Sequence, residues 1–441
     1  MKIAVISDDL TGASDCGGQL VQYGLNVSVI LNWNKLSLKR NDAIICNTNS
    51  RDISGEEAYA RVRDISECLK DKYFDMVYKK IDSTMRGNIG QEINAMQDVF
   101  QKDFVIIAPA YPKNGRQVIN GVYYLNHKKL TETEVARDPK TPVKDSVVSE
   151  MIRNQSNRSV GHISHRDLDK GYEHVLECLI NFKSNNIFYI TVDTVDESDL
   201  KKITAFIKMT KFSVIWCGSA GLMEFLPPTY GFKEKMDRAE VLPENHHRIL
   251  FVIGSVSKSS RKQLNELLLS TNTMGIEIKS TEVILSDKSR KYELDGIMEK
   301  VSDAVNLNKN IAIFSSAEVK ETQKIGIKRG YSLIEISNMI SKFLGEVSAY
   351  VIDKFKIKSL FVTGGDIAYQ VFKRLDVSEF NLLGEVEPGI PFGKLKNEGE
   401  ILAVTKAGSF GSESAMVKSI SILQGNILKD VNRGCVIRGQ Q

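Results

Sequence analysis

Ile6-Ser7-Asp8-Asp9-Leu10-Thr11-Gly12-Ala13-Ser14-Asp15 is the stretch from which the fold is read. Just before it, Ile3-Ala4-Val5-Ile6 is an apolar run of strand length, so residues 2–7 read as a strand. After it, Ala13, Cys16, Leu20 and Tyr23 recur at helical spacing. Asp8 to Gly12 is therefore a tight turn from a strand into a helix, at the carboxyl end of a strand, where open α/β sheets bind ligands. Two adjacent carboxylates repel, so at least one needs a hydroxyl, a cation or a metal as partner. Thr11 and Gly12 offer a helix cap and a point of close backbone approach. The local pattern serves a second reading equally well, in which Asp8 and Asp9 simply cap the helix and complement its dipole.

The same rhythm continues outward. Asn26 to Leu31 and Ala43 to Cys46 read as strands, the latter ending in Asn47-Thr48-Asn49-Ser50-Arg51. Ser54 and Glu57 have capping-box spacing before a helix that buries Ala58, Val62, Ile65 and Leu69. Phe74 to Lys80, Phe104 to Ala108, Ile187 to Val192 and Val214 to Cys217 continue the strands. Residues 109–150 break the alternation with an irregular excursion and a hairpin expected over Val122 to Leu130, and such long segments are often functional. Pro227, Pro228 and Pro243 mark the stretch from Leu226 to Arg248 as an interdomain linker. The pattern then restarts with strands at Ile249 to Ile253, Ile311 to Phe314, Leu360 to Val362 and Ile401 to Val404, and a long helix from Ser332 to Phe355. The expectation is an α/β protein of two α/β domains, each with a largely parallel sheet: residues 1–230, a linker at 231–247, and residues 248–441.

Composition narrows the class. With 441 residues, 42% hydrophobic and 26% charged, the chain is a globular one. Its 59 basic and 55 acidic residues are interspersed, so no nucleic-acid partner is implied. No apolar run is long enough for a membrane span and no signal peptide is evident, so a membrane partner is not expected. Cys16, Cys46, Cys68, Cys178, Cys217 and Cys435 lack Cys-x-x-Cys spacing and read as reduced thiols of a cytoplasmic protein. Oligomeric state is not legible, and a homo-oligomer stays open.

The chemistry concentrates at strand ends. Lys80, Asp82, Ser83 and Arg86 follow one strand, combining a guanidinium fork for a carboxylate with groups that bind hydroxyls. Arg51 is a further substrate-side candidate; Arg116, after Gly115, is either an anion contact or a loop pin. In the second half, Gly254-Ser255-Val256-Ser257, Thr363-Gly364-Gly365-Asp366 and Lys406-Ala407-Gly408-Ser409 each follow a strand. Glycine-rich turns at helix N-termini suit phosphate, which points to a nucleotide. There is no Gly-x-x-x-x-Gly-Lys-Ser/Thr loop and no Gly-x-Gly-x-x-Gly fingerprint. His165-Arg166-Asp167 lacks the remainder of a protein-kinase catalytic loop, and His162 with His165 is read as surface histidine, not a zinc site.

These motifs together resemble the four-carbon acid sugar kinases. Asp8-Asp9-Leu10-Thr11-Gly12-Ala13, Lys80-Ile81-Asp82-Ser83-Thr84-Met85-Arg86-Gly87, Ala108 to Pro112 with Gly115-Arg116, and the three later turns with Pro388 to Gly393 carry the likeness over nearly the whole chain. Two departures stand out: Ser7 stands where the family usually has Ala or another small residue, and Ile367 replaces the Thr usual after Gly-Gly-Asp. The resemblance implies ATP-dependent, Mg²⁺-assisted phosphorylation of the 4-hydroxyl of a tetronate, in a cleft between the halves. It implies that Asp8 or Asp9 orients or deprotonates the hydroxyl, that Arg51, Lys80, Asp82, Ser83, Arg86 and Arg116 hold the acid, and that Ser255, Ser257, Thr363, Gly364, Gly365, Asp366 and Gly408 hold ATP. Asp366 would serve Mg²⁺, yet it rivals Asp9 as the base. Two other classes remain: a dinucleotide-dependent sugar-acid oxidoreductase, disfavoured by the missing fingerprint, and a nucleotide-responsive sugar-acid sensor.

Overall fold

The computed structural model describes residues 2–33, 41–138, 140–234, 247–396, 400–408, 410–425, 427–430 and 434–437. The chain forms two compact units: Met1–Val27 with Ser37–Lys235, and Ser28–Leu36 with Met236–Gln441. Most of the expected linker, residues 235–246, lies outside the described residues. Among the described residues, no helix is long and apolar enough to cross a membrane.

The chain begins β1 (Ile3–Ser7), α1 (Leu10–Val21) and β2 (Val27–Ile30), of which β2 belongs to the second unit from Ser28 on; the first unit continues with β3 (Ala43–Asn47), α2 (Gly55–Lys70), β4 (Met76–Lys80), α3 (Ile89–Phe100), β5 (Phe104–Ala108), β6 (Arg116–Ile119), β7 (Val122–Leu125), β8 (Lys128–Lys129), α4 (Val148–Ser156), β9 (Val160–Ile163), α5 (His165–Asp169), α6 (Tyr172–Ser184), β10 (Tyr189–Val192), α7 (Glu197–Met209), β11 (Val214–Gly218) and α8 (Ala220–Thr229). Its main sheet has the order β3-β1-β4-β11-β5-β10-β9, with every pairing parallel. Helices cover both faces of such a sheet, so β1, β3, β4 and β5 are buried at every residue; β1 and β5 are apolar along nearly all their length, whereas β3 ends in Asn47 and β4 in Lys79 and Lys80.

The second unit contains β12 (Ile249–Ile253), α9 (Lys258–Ser270), β13 (Thr273–Ile278), α10 (Ser280–Leu285), α11 (Asp287–Asn306), β14 (Asn310–Ser315), α12 (Val319–Lys328), α13 (Leu333–Phe355), β15 (Ser359–Thr363), α14 (Gly365–Arg374), β16 (Glu379–Glu385), β17 (Pro391–Lys396), β18 (Ile401–Lys406), α15 (Ala415–Leu423) and the β19 (Ile427–Asp430) and β20 (Gly434–Ile437) hairpin. The order β13-β14-β12-β15-β18 is parallel, and β17 and β16 then add antiparallel strands. β2 lies next to β16, where Ser28 Oγ donates to Asn381 Oδ1 at 2.5 Å. The early segment 28–36 thus groups with the later unit.

Two local readings need correction, and a third is extended. The hairpin expected from Val122 is present, with β7 antiparallel to β8, and β6 adds a strand before it: Ile119 pairs with Val122 across Asn120-Gly121, whose φ values of 50° and 77° suit a two-residue turn that follows sheet twist. Pro227 and Pro228 do not open a linker but end α8. Their fixed φ fits a helix, and burial of Leu222, Met223, Leu226 and Pro227 holds that turn together. Finally, α1 begins at Leu10, and its cap is Asp9 rather than Thr11.

Candidate active site

In each unit, the connections leave the first strand in opposite directions at one point. In the first unit this switch falls between β1 and β4, in the second between β12 and β15. The crevice beyond the carboxyl ends at such a switch is where α/β sheets bind ligands. Asp8 and Asp9 follow β1, and Asp82 follows β4; Ser255 and Ser257 follow β12, and Gly364 to Asp366 follow β15.

Arg51 organises the first crevice. It reaches from the loop after β3 and grips Asp8 through a fork of Nε to Oδ2 at 2.7 Å and Nη2 to Oδ1 at 3.0 Å. Its Nη2 also meets Asp9 Oδ1 at 2.7 Å, and Nη1 lies 3.6 Å from Asp82 Oδ1. Gly87 makes room for this arm: its φ is +97°, and a Cβ there would sit 3.1 Å from Arg51 Cγ. The partner that two adjacent carboxylates require is thus a guanidinium 42 residues or more away, and Asp9 is both cap and ion-pair member.

The two carboxylates differ. Burial pushes Asp8 up, but Arg51, with Lys79 and Lys80, overrides it and holds the carboxyl below its usual value. Burial also pushes Asp9 up, and there the charge of Asp8 adds to it, so Asp9 ends above its usual value despite Arg51. Asp9 Oδ1 accepts the Gly12 N–H at 2.8 Å, closing the first turn of α1.

Asp82 folds the next turn. It accepts from the Thr84 hydroxyl and, at 2.8 and 3.0 Å, from Nε and Nη2 of Arg86. The remaining Arg86 nitrogen Nη1 reaches Asp138 at 2.9 Å. Although burial opposes it, Arg51 and Arg86 keep Asp82 well below the carboxylate range. The Ser83 carbonyl receives the Tyr123 hydroxyl from β7, tying the small sheet to this turn. Lys80 is buried, and its Nζ donates to the Ile81 carbonyl at 2.9 Å. That ammonium lies 2.6 Å from where a Cβ on Gly12 would stand. Arg116 begins β6 and donates Nη1 to the Asn114 carbonyl at 2.8 Å, so it does pin its loop; its buried Nε has no hydrogen-bond partner among the described residues.

A buried network behind the crevice escaped the sequence reading. Lys79 Nζ meets Glu92 Oε2 at 2.6 Å with both side chains at most 1% exposed. Glu92 Oε1 accepts Ser50 Oγ at 2.5 Å, Ser50 meets Thr48, and Thr48 Oγ1 donates to the Ser7 carbonyl at 2.8 Å. This chain joins the ends of β1, β3 and β4 and so places Asp8 against Arg51. Two lysines in succession, Lys79 and Lys80, at the end of an otherwise apolar strand are its signal in the sequence. His162 and His165 both face the buried carboxylate of Asp193, at 3.3 and 3.4 Å.

In the second unit, Ser257 caps α9, and its Oγ donates to the Gly408 carbonyl at 2.9 Å, as does Ser260 Oγ at 2.7 Å. A Cβ on Gly408 would fall 2.5 Å from Ser255 Oγ, so only glycine lets these turns touch. Gly364, with φ +105°, caps α14, and its N–H donates to the Lys406 carbonyl at 2.9 Å. Lys406 is buried under the third turn, where its Nζ donates to the carbonyls of Ala407, Gly408 and Phe410, and burial lowers it to about 8. Thr363 Oγ1 is buried and without a hydrogen-bond partner among the described residues. Gly365 and the exposed Asp366 form the first turn of α14. Ile367 is buried over Gly254, leaving no space there for a Cβ; its position is a packing one, which accounts for an apolar residue where a hydroxyl is usual.

Among the described residues, no group of three or more His, Cys, Asp or Glu side chains could hold a metal ion.

Two family models match most of the chain. Residues 3–226 match the family model described as a sugar-binding N-terminal domain, and residues 250–416 match a nucleotide-binding C-terminal domain. The chain is 31% identical over 430 residues to the D-threonate kinase of Salmonella typhimurium, covering 96% of this chain and 99% of that one. It is 27% identical to the D-erythronate kinase of Heliobacterium modesticaldum, covering 96% and 97% of the two chains. A solved structure of a Salmonella typhimurium protein, 22% identical, shares the fold with a TM-score of 0.78 over 95% of this chain and 98% of that one.

Proposed function

The chain belongs to the four-carbon acid sugar kinase family, and from that premise we propose that it transfers the terminal phosphoryl group of ATP to the 4-hydroxyl of a four-carbon sugar acid such as D-threonate or D-erythronate. The observation that carries this reading is the Asp8–Arg51–Asp9 and Asp82–Arg86–Asp138 constellation at the switch point of the first unit. Four carboxylates share two guanidinium groups there, which leaves spare acceptors for several hydroxyls, and the buried ammonium of Lys80 beside Gly12 supplies a positive charge for a small acid.

Roles follow from the geometry. Asp8, committed to Arg51, positions it. Asp9, with its raised pKa, accepts the proton of the attacking hydroxyl. Lys80 and Arg116 face the acid, and Arg51, Arg86, Asp82 and Ser83 shape its walls. ATP belongs to the second unit, with its phosphates at the N-termini of α9 and α14, near Ser255, Ser257, Thr363, Gly364, Gly365 and Gly408. Asp366 would hold Mg²⁺, which neutralises the charge on the phosphates when bound.

ADP release, coupled to a colour change, over a panel of four-carbon acids tests the reading. Turnover with at least one of them is expected; ATP binding without transfer would favour a sensor instead. Arg86→Ala is expected to raise KM for the acid about 30-fold or more by freeing Asp82 and Asp138, with Arg86→Lys failing to restore the planar fork. Unchanged acid kinetics in folded Arg86→Ala would remove Arg86 from the site. Asp366→Asn is expected to weaken ATP binding in calorimetry at low Mg²⁺ and to recover part of it as Mg²⁺ is raised. Identical isotherms at every Mg²⁺ concentration would argue against a metal role for Asp366.

A further inference from the structure

The carboxylates of the first crevice are nearly all occupied. Asp8 and Asp9 hold Arg51, Asp82 and Asp138 hold Arg86, and Glu92 holds Lys79. Asp15 is different: among the described residues it has no hydrogen-bond or ion-pair partner. It is half-buried on the second turn of α1, three residues beyond Gly12 and therefore on the same helix face. That face abuts the Lys80 ammonium at Gly12. The cations show the same asymmetry. Arg51 and Arg86 have their forks filled by protein carboxylates, whereas Arg116 gives Nη1 to a backbone carbonyl and keeps a buried Nε that has no hydrogen-bond partner among the described residues.

We propose that Asp15 is a specificity-determining residue of the acid subsite: it accepts a hydrogen bond from a chain hydroxyl of the sugar acid whose carboxylate is held by Arg116. The assignment rests on the kinase reading above and deepens it. Desolvated polar groups without partners are unfavourable, and a ligand that supplies those partners relieves that penalty on binding. A polyhydroxy acid carries both complements, hydroxyl donors for a carboxylate and a carboxylate for a guanidinium. Lys80, Arg116 and Asp9 are the charges that act on Asp15: burial raises its carboxyl to about 6, with Lys80 and Arg116 pulling against that and Asp9 adding to it. Above that pH it is charged and acts purely as an acceptor.

The test uses the full chain with ATP, comparing a 2,3,4-trihydroxybutanoate that supports turnover with its analogues lacking the 2- or the 3-hydroxyl. The wild type is expected to favour the full acid over one analogue by about 10- to 100-fold in kcat/KM. Asp15→Ala is expected to lose that preference, with the change in KM for the acid and none in KM for ATP, and Asp15→Asn to be intermediate. Arg116→Lys is expected to raise KM for every acid in the panel while keeping the preference. Wild-type turnover together with undiminished discrimination in Asp15→Ala would overturn the assignment of Asp15 alone, and an unchanged acid KM in Arg116→Lys would overturn the carboxylate end. A wild type that releases no ADP with any four-carbon acid would instead overturn the kinase reading and this subsite with it.

Discussion

Asp9→Asn is expected to lower the single-turnover rate of phosphoryl transfer about 10²–10⁴-fold, the usual range for loss of a positioned proton acceptor, while the fold and ATP affinity persist. The substitution is a clean one. Asn matches Asp in size and is as good an N-cap, so the bond from the Gly12 N–H that closes α1 survives. Arg51 keeps its two-point grip on Asp8, so the crevice retains its shape. What disappears is basicity at the one member of the Asp8–Asp9 pair whose carboxyl lies above its usual range, through burial and the charge of Asp8. A proton acceptor works in its ionised form. Wild-type turnover should therefore fall as pH drops through the raised pKa of Asp9, and this acidic limb should be missing from Asp9→Asn. A rate within a few-fold of wild type would show that the acceptor is another carboxylate, and the first to examine would then be Asp366.

The second large effect concerns stability. Lys79→Met should destabilise the protein by about 3–5 kcal/mol, because it leaves Glu92 buried without its cation. In a unit of this size that corresponds to a melting temperature lower by about 6–20 °C. Replacing both partners, as Lys79→Met with Glu92→Leu, should recover most of the loss, since neither charge is then buried alone. The sign of the pH dependence follows from the same pair. Burial raises the Glu92 carboxyl while Lys79 pulls it down, so removing Lys79 raises it further. A carboxyl whose folded pKa is raised binds more protons in the folded than in the unfolded state, so stability falls as pH rises through that window. The deficit of Lys79→Met should therefore be smaller near pH 5 than near pH 8, as thermal melts followed by near-ultraviolet circular dichroism would reveal. A deficit that is equal at both values, or a melting temperature within about 2 °C of wild type, would mean that the Lys79–Glu92 pair contributes little.

Local periodicity was enough to recover the α/β class, the parallel strands and the polar turns that end them. The information lies within ten or so residues: a strand buried on both faces is mostly apolar, as Ile3 to Ile6 and Ile249 to Ile253 are, and a helix facing a core places its apolar residues three and four apart. Asp8, Asp9, Arg51, Lys80, Asp82, Ser83 and Arg86 could be named because polar side chains gather where strands stop, and the structure brings those seven around one crevice. The antiparallel β16 and β17, and the grouping of residues 28–36 with the second unit, were not legible, since strand partners are chosen by long-range register and not by local pattern.

By itself, then, the sequence determined which residues stand at the strand ends and which kind of chemistry they carry. Tertiary structure alone decided how they pair: Arg51 with Asp8 and Asp9, Arg86 with Asp82 and Asp138, Lys79 with Glu92, and Asp15 with none of them. The reason is physical. Whether a charge is neutralised, raised or left to a ligand depends on the burial and the few ångströms separating it from groups tens of residues away, and those distances exist only once the strands are in register.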